Sequence, residues 1–300
     1  DTIPKIVTRK ADVGGEAFTV TGIAKGAGMI CPDMATMLCF ICTDIAVDSA
    51  SLQPMLQKSV DLSFNRITID GDTSTNDTVL VMANGMSGVS MDQAGTQEKF
   101  QKCLDEVLME LAKMVVKDGE GATKLVEVVV TGASSDADAK KIAHTIANSN
   151  LFKTALFGED ANWGRIVAAA GRAGVPMDAD RIAIYFGEVM MVANGVGRGK
   201  SIEAEATRVL KQPEFTVTVD LDLGSGQATV WTDFRIGPPE QRQTTEDTGA
   251  QPDPRLEIDA LRARHRLLRP RRLVALRGRG GDHAAQPARG CALAGRVPDR

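Results

Sequence analysis

Apolar and polar residues alternate along Ala17–Gly26 (AFTVTGIAKG), and the run stops at glycine, so it reads as a strand entering a loop. The stretch Ser51–Ile67 has apolar positions at helical spacing with a serine at its start, which predicts a helix. Thr78–Gly85 (TVLVMANG) is an apolar run closed by Asn-Gly, a strand and a turn. The clearest helix lies within Thr96–Gly121. Phe100, Leu104, Val107, Leu108, Leu111 and Val115 share one face there, with Thr96 as the expected cap and Gly119 as the expected end. Lys124–Ala133 is a further strand. Ser135–Gly158 reads as one helix begun by an Asp cap. Arg181–Gly195 reads as two strands about Gly187, and Glu214–Phe234 as a hairpin around Gly224-Ser225-Gly226. Helices and strands interleave without a strict βαβ rhythm, and no G-x-G-x-x-G follows a strand. The pattern predicts a mixed α/β layered sandwich in place of a dinucleotide-binding sheet.

Composition changes that picture at one end. The chain has 300 residues, 43% of them hydrophobic and 25% charged, which fits a globular protein with a sizeable core. No apolar run approaches the ~18 residues a membrane span needs. The chain opens on Asp-Thr-Ile-Pro, with no basic and apolar leader visible. From Arg235 onward there are 14 Arg, no Lys and 8 acidic residues, a formal charge of +6, whereas residues 1–234 carry −10. Three readings of this tail stand side by side: a basic arm for nucleic acid, a disordered tail, and coding sequence read out of frame, which gives Arg beside Ala, Gly and Pro. No aromatic residue follows Phe234, so base stacking has nothing to use. Gly237–Arg300 is expected to pack little against the rest.

The chemistry is sparse. His144 is the only His before the tail, and it reads either as a general base or as a surface or core residue. No spaced Cys/His set suits zinc. Cys39 and Cys42 form a bare C-x-x-C inside an apolar run, read as buried thiols or as a redox pair. Asp70–Thr78 (DGDTSTNDT) fails as a calcium loop, because its twelfth position is Val81. It remains either a hydrogen-bonded turn or a polar wall of a site. One nucleophile works without a His: a chain-terminal Thr whose own α-amine is the base. In Lys25–Leu38 (KGAGMICPDMATML), Gly26 and Gly28 permit unusual backbone angles, Pro32 stiffens the turn, and small Ala35 precedes Thr36. The stretch reads as a self-cleaving loop or as a loop feeding an ordinary core strand.

Four segments carry a resemblance: Thr21–Asp44 (TGIAKGAGMICPDMATMLCFICTD), Asn65–Thr78 (NRITIDGDTSTNDT), Asp118–Val128 (DGEGATKLVEV) and Phe157–Gly174 (FGEDANWGRIVAAAGRAG). Together they resemble, in order, the ornithine acetyltransferase family, also called the arginine biosynthesis bifunctional protein family. The resemblance implies an αββα sandwich similar to the N-terminal nucleophile hydrolases. It implies cleavage between Ala35 and Thr36, with Thr36 then moving acetyl from N-acetylornithine to glutamate. It further implies substrate contacts at Thr2, Lys25, Thr36 and Glu120. Acetyl-CoA enters as an optional co-substrate, with no cofactor, metal, nucleic acid or membrane. The processed chains pair as a heterotetramer, in the cytoplasm or, in a eukaryote, the mitochondrion. By this reading residues 1–132 carry the nucleophile, 133–234 form a second α/β domain, and 235–300 are a non-homologous tail. The family's upstream segment, including a Thr-Gly pair resembling an oxyanion hole, lies before Asp1, and its closing segment is replaced after Thr232. The alternatives are a terminal-Thr peptidase or amidase, and an inactive fragment.

Overall fold

The computed structural model describes residues 1–31, 37–72, 77–235 and 272–277. Two sheets organise the described residues. The first has the order β1 (Lys5–Val13), β2 (Glu16–Lys25), β3 (Leu38–Thr43), β5 (Thr78–Ala83), β12 (Arg272–Arg277). The second has the order β4 (Ile67–Thr68), β11 (Gly226–Arg235), β6 (Ala122–Ala133), β10 (Glu214–Asp220), β7 (Ala183–Phe186), β8 (Val189–Ala193), β9 (Val196–Gly197). The helices are α1 (Ser49–Leu62), α2 (Thr96–Lys117), α3 (Asp136–Ala147), α4 (Asn150–Phe157), α5 (Trp163–Gly171) and α6 (Lys200–Leu210).

Helix α2 organises the first core. Its apolar face is fully buried from Phe100 to Val116, and it packs against β1, β2 and α1 and reaches β6 and β11 of the second sheet. The second core joins α3 to α6 with the other sheet, and β6 belongs to both: Leu125 lies in the first cluster, Val126 in the second. Among the described elements, helices pack on the α2 side of the first sheet. On the opposite face Ile6 pairs with Ile23, Ile23 with Phe40 and Phe40 with Leu80, one apolar row across four strands. Its first three members are 46%, 45% and 39% exposed.

Several sequence expectations are corrected. Thr96 does not cap α2; Gly95, at φ +76, turns the chain into the helix, and Thr96 is its buried first residue. The helix ends at Lys117 with Asp118 as cap, and Gly119 follows the cap as expected. The α1 helix stops at Leu62, where Ser63 Oγ bonds back to Ser59 O, and a short 3-10 turn, Phe64–Arg66, leads into β4. The expected long helix from Ser135 is two, because Ser149 starts a second one by accepting from Phe152 N; the first is capped by Ser135, with Asp136 inside it. β10 and β11 are not a hairpin. Both flank β6, β10 in parallel and β11 antiparallel, so the Gly224–Gly226 turn carries the chain across β6. In the tail, expected to pack little, Arg272–Arg277 (RLVALR) pairs antiparallel with the whole of β5. The rest of the tail lies outside the described residues.

Candidate active site

The second strand ends at Lys25, opposite Leu38, the first residue of β3, and the chain between them forms the Gly-rich loop. Ala35 and Thr36 lie outside the described residues; Ile30 and Met37 mark the loop's described flanks. Each flank is tied to the acidic segment that joins β4 to β5. Asp70 accepts Met29 N–H at 2.5 Å and Ile30 N–H at 3.0 Å, and Ile69 N donates to Ile30 O at 2.7 Å. Asp77 accepts Met37 N–H at 2.5 Å, and Thr78 N donates to Met37 O at 3.1 Å. The described ends of the acidic run, Asp70 and Asp77, are thus tied to the loop's two flanks, and Asp70 also accepts from Asp72 N–H at 3.2 Å.

Glu120 joins the loop from the other side. Its N–H donates to Ala27 O at 2.8 Å, and a Cβ on Gly28 would stand only 3.0 Å from Glu120 Oε1. Glycine at 28 lets the carboxylate lie against the loop backbone. Thr2 comes to the same corner. Its N–H and hydroxyl both donate to Asp118, the cap of α2 two residues before Glu120. Lys5, whose side chain is fully buried, pairs with Asp118 and Asp1, and Asp1 also accepts Gly26 N–H at 3.1 Å. Burial alone would raise the Asp118 carboxyl, but the bonds from Lys5 and Thr2 outweigh it and hold the group below the usual carboxylate range. Thr2, Lys25 and Glu120 therefore gather around one loop, and the Thr2 hydroxyl is spent on Asp118.

Sequence reasoning did not single out Lys5, Asp118 or Asn148. Lys5 and Asp118 stand 113 positions apart, and only the D-T-x-x-K and D-G-E-G patterns around them hint at a shared role. Asn148, the C-cap of α3, accepts from Thr68 Oγ1 at 2.6 Å and lies 3.8 Å from Cys31 Sγ. Lys153 of α4 fixes the start of the acidic segment, donating to Ile69 O at 2.7 Å and to Asp233 O at 3.0 Å. Cys39 is buried and its thiol is pushed well up by burial; Cys42, three residues on in the same strand, faces the other side, so the two cannot act as a pair. Among the described residues no cluster of His, Cys, Asp and Glu could hold a metal.

His144 is half-buried on α3, with both ring nitrogens out of solvent. Burial and the nearby Lys140 and Arg66 charges push its imidazole down to about 4, against a backbone contact at Asn65. Burial raises Asp77 to about 6, against the Met37 N–H and the Lys25 charge. The two act in opposite directions. His144 is depressed when folded, so its contribution to stability is present above its unfolded value and is lost as pH falls toward 4. Asp77 is raised, so its contribution is present at low pH and is lost as pH rises through 6. With His144→Gln, stability should fall more steeply from pH 4 to pH 6 than in the parent; with Asp77→Asn it should fall more steeply on acidification. Urea midpoints at each pH check both, and parallel curves for the three chains would refute the assignment.

Comparison with known proteins places the chain among relatives named as arginine biosynthesis bifunctional proteins. A family model described as the ArgJ family matches residues 1–234, and the chain belongs to that family. The arginine biosynthesis bifunctional protein ArgJ of Geobacter sulfurreducens is 55% identical over 234 residues, which are 77% of this chain and 60% of that protein. The protein of the same name from Syntrophotalea carbinolica is 55% identical over 236 residues, covering 77% and 59%. The chain thus spans about 60% of the length of these relatives. The crystal structure of the Bacillus halodurans ArgJ protein aligns with a TM-score of 0.64 at 38% identity, over 69% of this chain and 98% of that one. The chain has the mixed α/β fold of this family, as its sequence led one to expect. No described helix is long and apolar enough to cross a membrane.

Proposed function

We propose that this chain carries the terminal-threonine centre of an acetyltransferase of arginine biosynthesis. The observation that carries the reading is the convergence of Lys25, Glu120 and both flanks of the Thr36 loop at one corner. Thr36 Oγ attacks the Ala35 carbonyl carbon, and the acyl group passes from nitrogen to oxygen. Water then hydrolyses the ester, leaving a carboxylate on Ala35 and a free amine and hydroxyl on Thr36. That amine, with a reference pKa of about 7.7 to 8.0, takes the hydroxyl proton in the next step. Thr36 Oγ attacks the acetyl carbon of N-acetylornithine, ornithine leaves as the amine, and glutamate accepts acetyl from the Thr36 ester. Lys25 suits a substrate carboxylate and Glu120 a substrate ammonium, with Thr2 bracing their corner. Acetyl-CoA serves as a second donor of the same acetyl group, no cofactor takes part, and the processed chains work as a cytoplasmic heterotetramer.

The test is transfer by the full-length protein. Acetylglutamate and ornithine should form in equal amounts, and a chain starting at Thr36 should gain one acetyl group on brief exposure to donor. Release of acetate without acetylglutamate would replace the transferase by a hydrolase using the same Thr.

A further inference from the structure

The segment from Ile69 to Thr78 holds two carboxylates whose partners lie on opposite flanks of one loop. Asp70 takes the upstream flank at Met29 and Ile30, and Asp77 the downstream flank at Met37. Main-chain bonds double each tie, Ile69 N to Ile30 O and Thr78 N to Met37 O. The segment is itself anchored at both ends, since β4 before it pairs in the second sheet and β5 after it pairs in the first. Two ties per flank are more than a turn needs. A turn-forming Asp is ordinarily solvated and bonds to its own neighbours, whereas Asp77 is only 3% exposed and its partner is 40 positions away. Its Oδ2 is buried and has no hydrogen-bond partner among the described residues. Burying a carboxylate for a single backbone bond is unfavourable unless the position requires it. Lys25, at the end of β2, is the charge set against it.

We infer that Asp70 and Asp77 are positioning residues for the chemistry of Thr36, a pair of clamps that fixes both ends of the loop to be cut. The inference rests on the terminal-threonine reading above. The intramolecular attack needs oxygen and carbon held at about 3 to 3.5 Å, and small misplacements lower the rate steeply. The two ties fix Ile30 and Met37, described residues on either side of Thr36, to one anchored segment. Asp77 acts nearest the reaction, because Met37 N is the nitrogen of the peptide bond that follows Thr36. Neither carboxylate is assigned a proton transfer.

Full-length protein carrying Asp70→Ala, Asp77→Ala, Asp77→Asn or Thr36→Ala tests this, with the chain starting at Thr36 followed by mass spectrometry over time. Both alanine variants should cut at least about 100-fold more slowly, the scale of a misplaced reacting group. Asp77→Asn keeps an oxygen for Met37 N–H and should recover cutting to within about 10-fold of the parent, a rescue that follows from positioning by a hydrogen bond. Circular dichroism and urea midpoints separate slow cutting from failed folding. Should Asp77→Ala not fold, Asp70→Ala at its half-buried position and the Asn variant still decide the matter. If the alanine variants cut at the parental rate while Thr36→Ala does not cut, the clamp is wrong and the nucleophile stands. If Asp77→Asn is as slow as Asp77→Ala, hydrogen-bonded positioning is wrong. If Thr36→Ala itself cuts normally, the terminal-threonine reading falls, whatever the Asp variants do.

Discussion

Replacing Thr36 by Ala should leave the full-length protein as one uncut chain, with acetyl transfer reduced by at least about 10⁴-fold, the order expected when a covalent nucleophile is removed. One oxygen serves both events, so both must go together. Thr36→Ser keeps an oxygen and, after cutting, a terminal amine, and should retain measurable cutting and transfer. Electrophoresis of the purified protein and an acetylglutamate assay give the two readouts. Full transfer by an uncut chain would remove the mechanism, because an amide-bonded Thr36 has no free amine to act as base.

The second large effect is on stability. Lys5 is completely enclosed and pairs with Asp118, itself almost fully buried, and with the more open Asp1. Lys5→Met leaves the Asp118 carboxylate buried with only Thr2 to hold it, and should cost about 3 to 5 kcal/mol in a urea titration at neutral pH. The double variant Lys5→Met, Asp118→Leu should recover most of that loss, since an apolar pair of similar volume replaces a desolvated ionic one. Asp118 is held below the usual carboxylate range, so its contribution exists at neutral pH and fades as the pH falls through that range. A single-variant loss below about 1 kcal/mol would mean that the pair is solvated, as surface ion pairs are.

Local signals account for what could be read in the sequence. The α2 face from Phe100 to Val115 and the alternation of β2 were visible because each lies within one element and answers to one period. What failed was adjacency. Nothing in Glu214–Phe234 shows that β6 runs between its two strands, because pairing partners about 90 to 110 positions away leave no local mark. The Ser149 break was hidden for a related reason, since Ser and Asn can sit inside a helix or cap one, and tertiary packing decides. At the site, Lys25 and Glu120 were named only through resemblance to a family. Asp70–Thr78 was left as a turn or a wall of a site; in the structure Asp70 closes a turn at Asp72 N–H and also bonds the loop, whereas Asp77 bonds the loop alone. Lys5 was missed because its burial depends on a helix cap far along the chain, which no local pattern shows.

The open face of the first sheet gives the described chain the character of an amphiphile. Behind the sheet, α1 and α2 turn Lys, Glu, Gln and Asp outward; in front stands the unbroken row of Ile6, Ile23 and Phe40 continued by Leu80. Four strands at about 4.8 Å spacing make that row roughly 15 Å wide, a plate that water wets poorly and that no side chain in the row can charge. The formal charge of −4, spread over 300 residues, supplies only weak mutual repulsion to keep such plates apart. Salt therefore acts on this chain in two ways at once: it screens the little repulsion there is, and, when the salt is a sulfate or phosphate, it raises the surface tension against the plate. The exposed row thus adds an apolar contribution to the chain's solubility beside that of its net charge.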